Sequence, residues 1–176
     1  MLIGPLCTLR PLQRSDMEVS LSWRRDVSTR SQVDGYPFPI TEEMESGWFD
    51  AALSDPKSRS ARFAIELTES AETAVGFIHL TDIDSIVGAA TFGMVLGDPK
   101  VRGRGIGSEA MGLLIDYAFG TLNLRRISLV VKDDNAAARA LYAKMGFAEE
   151  GRLKQAAYAD GKYIDLIAMA LLRDPA

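Results

Sequence analysis

Apolar and polar positions along the 176-residue chain change period several times, and each change marks an element. Residues 8–12 alternate as a short first strand. Residues 15–25 place Met17, Leu21 and Arg24 at helical spacing behind Ser15 or Asp16, either of which suits an N-cap. Residues 35–40 (GYPFPI) read as a connection within one domain. Thr41 with Glu42, Glu43 and Met44 opens a second helix, on which Met44, Trp48, Ala51 and Ala52 share a face. The period then shortens: residues 61–67, 74–80 and 90–96 are strand-like, with Gly and Asp between them. Helical period returns over residues 104–119, where Ile106, Ala110, Leu113, Leu114, Tyr117 and Ala118 make a broad apolar stripe. Residues 126–131 form a dense apolar run that predicts a central strand. Residues 135–145 predict a helix closed by Gly146. Two last strands, over residues 149–158 and 163–171, flank the hairpin signal Asp160-Gly161. The order β α α β β β α β α β β predicts an α+β or mixed α/β fold around one sheet. Without repeat, low-complexity tract or linker, residues 1–176 read as a single domain.

Composition narrows the function classes. The chain is 47% hydrophobic and 25% charged, ordinary for a globular protein with one core. A net charge of -4 argues against a nucleic-acid or anionic-membrane surface and leaves room for a cationic partner. No apolar run approaches the roughly 18 residues of a membrane span, and the start lacks the apolar core of a signal peptide. One cysteine, Cys7, and one histidine, His79, make an internal disulfide impossible and a structural zinc site of the usual kind unbuildable. The expectation is therefore no metal and an intracellular, cytoplasmic setting. Cys7 itself reads as a small apolar filler rather than a nucleophile.

The chemistry concentrates in Met94-Val-Leu-Gly-Asp-Pro-Lys-Val-Arg-Gly-Arg-Gly-Ile-Gly-Ser-Glu, which runs from strand through a glycine-rich turn into helix. Gly103, Gly105 and Gly107 permit a tight turn with unobstructed backbone N–H groups. The helix beginning here aims its unpaired N–H groups and positive dipole end into that turn, which suits a phosphate or pyrophosphate. Arg102, Arg104 and Lys100 add positive charge. A P-loop is excluded because Gly-Lys-Ser/Thr is missing, and a dinucleotide fingerprint fits poorly because position 108 is Ser. A turn that merely links strand to helix stays open on these residues alone.

Arg102-Gly-Arg-Gly105-Ile-Gly107 resembles the acyl-CoA loop of the GNAT superfamily, Q/R-x-x-G-x-G/A. Asn135-Ala-Ala-Ala138-Arg-Ala-Leu-Tyr142-Ala-Lys-Met-Gly146-Phe147 resembles its N-x-x-A/S-x-x-x-Y-x-K-x-G-F helix. The opening Leu9-Arg-Pro-Leu with Asp16, the Trp48-Phe49 pair, Glu150-Gly-Arg and Asp160-Gly-Lys-Tyr are similar to the branch of ribosomal-protein N-terminal, spermidine and amino-sugar acetyltransferases. The resemblance spans nearly the whole chain. It implies the GNAT acyl-CoA N-acyltransferase fold, a mixed central sheet flanked by about four helices. It further implies transfer of acetyl from acetyl-CoA to a primary amine of a protein N-terminus, polyamine, amino sugar or other small molecule, by direct attack in a ternary complex. A non-catalytic acyl-CoA-binding or sensing domain on the same fold is the alternative.

Residue by residue, the resemblance places the pyrophosphate of coenzyme A on Arg102, Gly103, Arg104, Gly105, Ile106, Gly107 and Ser108. The pantetheine arm lies along Met94, Val95 and Leu96. The strand at residues 127–131 splays from that edge to admit the thioester, and the Val95 N–H stabilises the oxyanion formed on amine attack. Asn135, Ala138 and Tyr142, spaced by three and four, share a helix face that meets the pantetheine and sulfur. Tyr142 is the expected acid for the thiolate, and Asn135 suits both an N-cap and a ligand contact. The general base stays open. Relatives carry a glutamate on the strand before the loop, where this chain has Ala90-Thr-Phe-Gly93. His79, Glu66, Asp82, Asp84 and a water chain are the candidates. The acceptor pocket is expected from residues 23–49 and 154–163, with Tyr36, Phe38 and Trp48 as an apolar wall or as core. The last hairpin leaves a homodimer open.

Overall fold

Alternating and helical segments assemble around one eight-stranded sheet in a computed structural model that describes residues 1–26, 29, 39–54, 59–70, 73–159 and 161–173. In chain order the elements are β1 (Leu2–Ile3), β2 (Cys7–Pro11), α1 (Met17–Arg25), α2 (Glu42–Leu53), β3 (Ala61–Leu67), β4 (Gly76–Asp84), β5 (Ala89–Leu96), α3 (Ile106–Asp116), β6 (Arg126–Lys132), α4 (Ala136–Lys144), β7 (Ala148–Ala159) and β8 (Lys162–Leu172). Their spatial order is β1-β2-β3-β4-β5-β6-β8-β7. Every pair is antiparallel except β5–β6, whose parallel register is reached through α3.

Strand alternation divides the interior into two layers. On one face Ile65, Ile78, Leu80, Ile127 and Ile167 pack against Met111 and Leu114 of α3, with Leu141 and Tyr142 of α4 beside them. On the other, Ala64 and Phe77 meet Phe49 of α2, and Trp23, Trp48 and Val95 close around them. Neighbours in sequence thus serve opposite layers: Ala64 against Ile65, Phe77 against Ile78.

The departures from the expected elements have local causes. β1, only two residues long, has too few positions to show alternation. It is held because Glu109 of α3 accepts the N–H groups of Leu6 at 2.6 Å and Cys7 at 2.8 Å. Asp16 does not cap α1 with its side chain; it pairs with both terminal nitrogens of Arg10 and accepts the Gln13 N–H, so a short 3-10 turn (Arg14–Asp16) precedes the helix. α2 is capped as expected, Thr41 Oγ1 accepting from the Met44 N–H at 3.2 Å. Its buried face is rotated, however. Glu45 and Phe49 are enclosed, whereas Met44 and Ala51 are exposed. A carboxylate holds that core position because Ser20 Oγ donates to Glu45 Oε1 at 2.5 Å and Arg24 Nε stands 3.2 Å from Oε2. β4 begins later than expected and runs on to Asp84 past an irregularity at Asp82, whose φ is +51°. Tyr36, Phe38 and Asp160 lie outside the described residues.

Candidate active site

The parallel strands β5 and β6 pair only at their starts, Ala89, Ala90 and Thr91 against Arg126, Ile127 and Ser128. Beyond these residues the edges separate and a cleft of about 430 Å³ opens between residues 91–95 of β5 and residues 129–132 of β6. It passes from one face of the sheet to the other. Asn135 and Tyr142, at the start and within α4, line one side. Ser20, Trp23, Arg24, Thr29, Ile40 and Trp48 line the other, around α1 and α2.

The free edge of β5 carries unpaired backbone groups, and the ladder tells which. Gly88 O accepts from the Arg126 N–H and Ala90 O from Ser128 Oγ, both on the β6 side. Leu96 O, also turned from β4, accepts from Arg102 Nη2 at 3.2 Å. Gly97 N–H instead donates to Val75 O on the β4 side. With the regular register Phe77↔Val95 and Ile78↔Met94 between them, alternation turns the backbone of Phe92 and Met94 into the cleft and that of Gly93 and Val95 into β4. The Val95 N–H, where an oxyanion donor was expected, therefore faces β4, and the Met94 N–H is the one turned to the cleft. Val95 contributes its side chain, which lines the cleft from the α1–α2 face.

The glycine-rich turn follows at the C-terminal end of β5. Gly103 and Gly105 have φ of +75° and +86°, a left-handed geometry that side chains resist. Gly105 occupies the N-cap of α3, and the first helical bond runs from the Glu109 N–H to Gly105 O. The N–H groups of Ile106, Gly107 and Ser108 consequently have no carbonyl within the helix to meet. The arginines behave differently from expectation. Arg102 folds back onto Leu96 O and Thr29 Oγ1, with its Nε buried and unpartnered, and Arg104 pairs with Glu69 at 2.7 Å. With both side chains engaged elsewhere, what the turn presents is its backbone N–H groups.

On α4, Asn135 Oδ1 accepts the Ala138 N–H at 3.1 Å, so this residue caps the helix while also lining the cleft. The Tyr142 ring stands edge-on to Phe92, centroids 5.9 Å apart, and lies 6.1 Å from Phe147. Packing against the core fixes where the phenol lies. Ala138 packs against the core instead of lining the cleft.

Of the candidate bases, only His79 lines the cleft. Burial first, and the Arg62 charge second, hold its pKa down at about 4, so it is neutral near pH 7. Glu66 is bound by Arg10 Nε at 2.5 Å. Asp84 accepts the Ile86 and Val87 N–H groups at 2.9 Å and is a turn-forming acid. Asp82 sits at the β4 irregularity, away from the lining. Cys7 is enclosed, and burial followed by the Glu109 charge pushes its thiol up to about 12, in keeping with a filler. The expected acceptor segment is divided: Trp23, Arg24, Thr29, Ile40 and Trp48 contribute to the lining, and no described residue of 154–163 does. Sequence reasoning missed Ser20 and Lys132, and named Arg24 only as part of the segment 23–49. The spacing Ser20, Trp23, Arg24 on one helix face was the available signal.

Comparison with known proteins shows the family and the fold. The acetyltransferase (GNAT) domain family matches residues 7–148. The spermidine N(1)-acetyltransferase of Escherichia coli (strain K12) is 30% identical over 165 residues, covering 94% of this chain and 85% of that protein. The crystal structure of spermidine N-acetyltransferase from Vibrio cholerae in complex with CoA and spermine superimposes with a TM-score of 0.86 at 27% identity, covering 96% of each chain. A dodecameric structure of the Vibrio cholerae enzyme in an intermediate state superimposes at 0.77, with 27% identity and 96% and 95% coverage.

Proposed function

The chain belongs to the GNAT acetyltransferase family and transfers the acetyl group of acetyl-CoA to a primary amine; we propose that it does so by direct attack, in a ternary complex, inside the cleft between β5 and β6. The carrying observation is the unpaired β5 edge. Backbone groups of Phe92 and Met94 stand free where a pantetheine arm pairs as an added strand, and the turn at Arg102–Gly107 follows at the distal end for the pyrophosphate.

Each residue then has a bounded task. The Met94 N–H donates to the oxygen that gains charge as the amine nitrogen bonds the carbonyl carbon. Tyr142 donates a hydrogen bond to the departing sulfur as the C–S bond breaks. A phenol near pKa ~10 facing a thiol near ~8.5 makes full proton transfer uphill by about 2 kcal/mol, so the hydrogen bond itself supplies most of the help. Asn135 holds the start of α4 against the donor. The amine sheds its proton to solvent through the α1–α2 mouth, since no carboxylate lines the cleft among the described residues. Among those residues no group of three or more His, Cys, Asp or Glu is placed to hold a metal ion.

The acceptor is drawn from protein N-termini, polyamines, amino sugars and other small amines. We place the reaction in the cytoplasm. The exposed tip of the β7–β8 hairpin, where Tyr158 and Tyr163 meet at 5.1 Å, is the surface we assign to a homodimer contact. No described helix is long and apolar enough to cross a membrane. Release of free coenzyme A from acetyl-CoA, followed by thiol titration over a panel of amines, tests the enzyme reading. Acceptor-dependent release supports it; donor binding without release by any amine would favour a sensing domain.

A further inference from the structure

Basic side chains gather around an indole at the α1–α2 mouth of the cleft. Two guanidiniums flank one indole: Arg24 lies 5.5 Å and Arg62 6.0 Å from the Trp48 ring. Arg24 and Trp48 line the cleft. Arg62 is not itself a lining residue; it stands opposite His79 in the β3–β4 register, next to the lining formed by His79 and Trp48. The two cations are not equally compensated. Arg24 has Glu45 at 3.2 Å. Arg62 has no ion pair among the described residues, and its Nε is buried without a hydrogen-bond partner. Glu45 cannot serve both, because it is enclosed and bonded to Ser20. Asp26, at the end of α1, is engaged by the N–H and Oγ1 of Thr29. His79, neutral near pH 7, adds no charge of its own.

A polycation entering this mouth meets like charge and no acid among the described lining residues. Juxtaposed like charges reject a partner as effectively as good contacts attract one. A carboxylate entering it meets a planar donor held in place by an aromatic face, an arrangement suited to bidentate pairing. Trp23, Trp48, Phe77 and Ile40 supply an apolar wall beside it.

From this we infer that the acceptor carries a carboxylate as well as its amine, and that Arg62, seated on Trp48 beside Arg24, binds that carboxylate while the amine reaches the β5–β6 splay. An α-amino acid or a short peptide has this chemistry. The inference rests on the acetyltransferase reading and narrows its acceptor away from polyamines. Arg62 is a specificity-determining residue here, acting on acceptor choice and not on the acetyl group.

The test compares amines that differ only in the carboxylate. The intact protein is given acetyl-CoA with the common α-amino acids, each beside its own carboxamide, and with spermidine, and coenzyme A release is followed. At least one amino acid is expected to exceed its carboxamide and spermidine in kcat/KM by about tenfold, the worth of one charge-assisted contact. Arg62→Gln is expected to bring that ratio to within about threefold, and Arg62→Lys to restore part of it. A thermal shift with acetyl-CoA on each variant checks that the fold and donor site survive. Spermidine turned over as well as any amino acid would overturn the inference, as would carboxamides matching their acids throughout the panel. A ratio unmoved by Arg62→Gln would remove Arg62 from it. If acetyl-CoA produces no thermal shift on the wild-type protein, the donor reading itself has failed, and that outcome is distinct from donor binding without a carboxylate preference.

Discussion

The His79 imidazole lies across Gly93 so closely that a β-carbon at position 93 would overlap Nε2. Both residues line the cleft, so the contact shapes the surface over which the acceptor passes. Gly93→Ala is expected to displace the ring at a cost of about 1–3 kcal/mol, the usual range for overpacking. For a chain of this length that lowers Tm by roughly 2–4 °C per kcal/mol. Thermal unfolding beside acceptor KM checks it, and an unchanged Tm with unchanged KM would show that the ring moves freely.

The same histidine makes stability depend on pH with a definite sign. Its pKa falls from 6.5 to about 4 on folding, so between these values the unfolded chain binds a proton that the folded one does not. The contribution is fully present above about pH 6.5 and is lost as pH falls toward 4, at most about 3 kcal/mol in all. Urea unfolding of wild type and His79→Gln at several pH values isolates it. The wild type is expected to lose more stability than the variant between pH 6.5 and 4.5; parallel curves would contradict the assignment.

Tyr142→Phe keeps the ring that packs on Phe92 and Phe147 and removes only the hydroxyl. Turnover is expected to drop by about 10²-fold or more, in the range for a positioned acid, with acetyl-CoA affinity nearly unchanged. Steady-state kinetics with a direct binding measurement separates the two. A loss confined to affinity would make Tyr142 a binding residue alone.

Gly105→Ala forces a β-carbon into a left-handed position, where Leu6 Cδ1 would be an ordinary neighbour at 3.5 Å. Strain, not crowding, is the expected cause of a loss of about 1–2 kcal/mol. Acetyl-CoA affinity should fall with it, because the turn that presents the N–H groups of residues 106–108 is re-aimed. Isothermal titration checks this. Intact affinity in a destabilised variant would show that the turn geometry is not what holds the donor.

Most of the fold was legible because its signals are local. Residues 61–67 are a short, mostly apolar run of strand length, and Asn135 and Gly146 bracket α4 by cap chemistry. The misread positions depend on partners distant in sequence. The buried face of α2 is set by Ser20 and Arg24, which make Glu45 an inside residue. β1 is set by Glu109. In the site, the glycine turn and the Asn135–Tyr142 face announce themselves by spacing. Which peptide N–H of β5 faces the cleft depends on the ladder with β4, which turns the Met94 N–H, not that of Val95, toward it. The meeting of Arg62, Trp48 and His79 is a product of strand register and helix docking, with no trace in any single segment.

Binding of acetyl-CoA, followed as thermal stabilisation with coenzyme A and ATP beside it, tests the central claim most directly. At 100 times its Kd the donor should stabilise the protein by about 2.7 kcal/mol. The expected result is a clear rise in Tm with acetyl-CoA and coenzyme A, little with ATP, and a smaller rise in Gly105→Ala. No rise at millimolar acetyl-CoA would contradict a donor site built on the open edge of β5 and the turn that follows it.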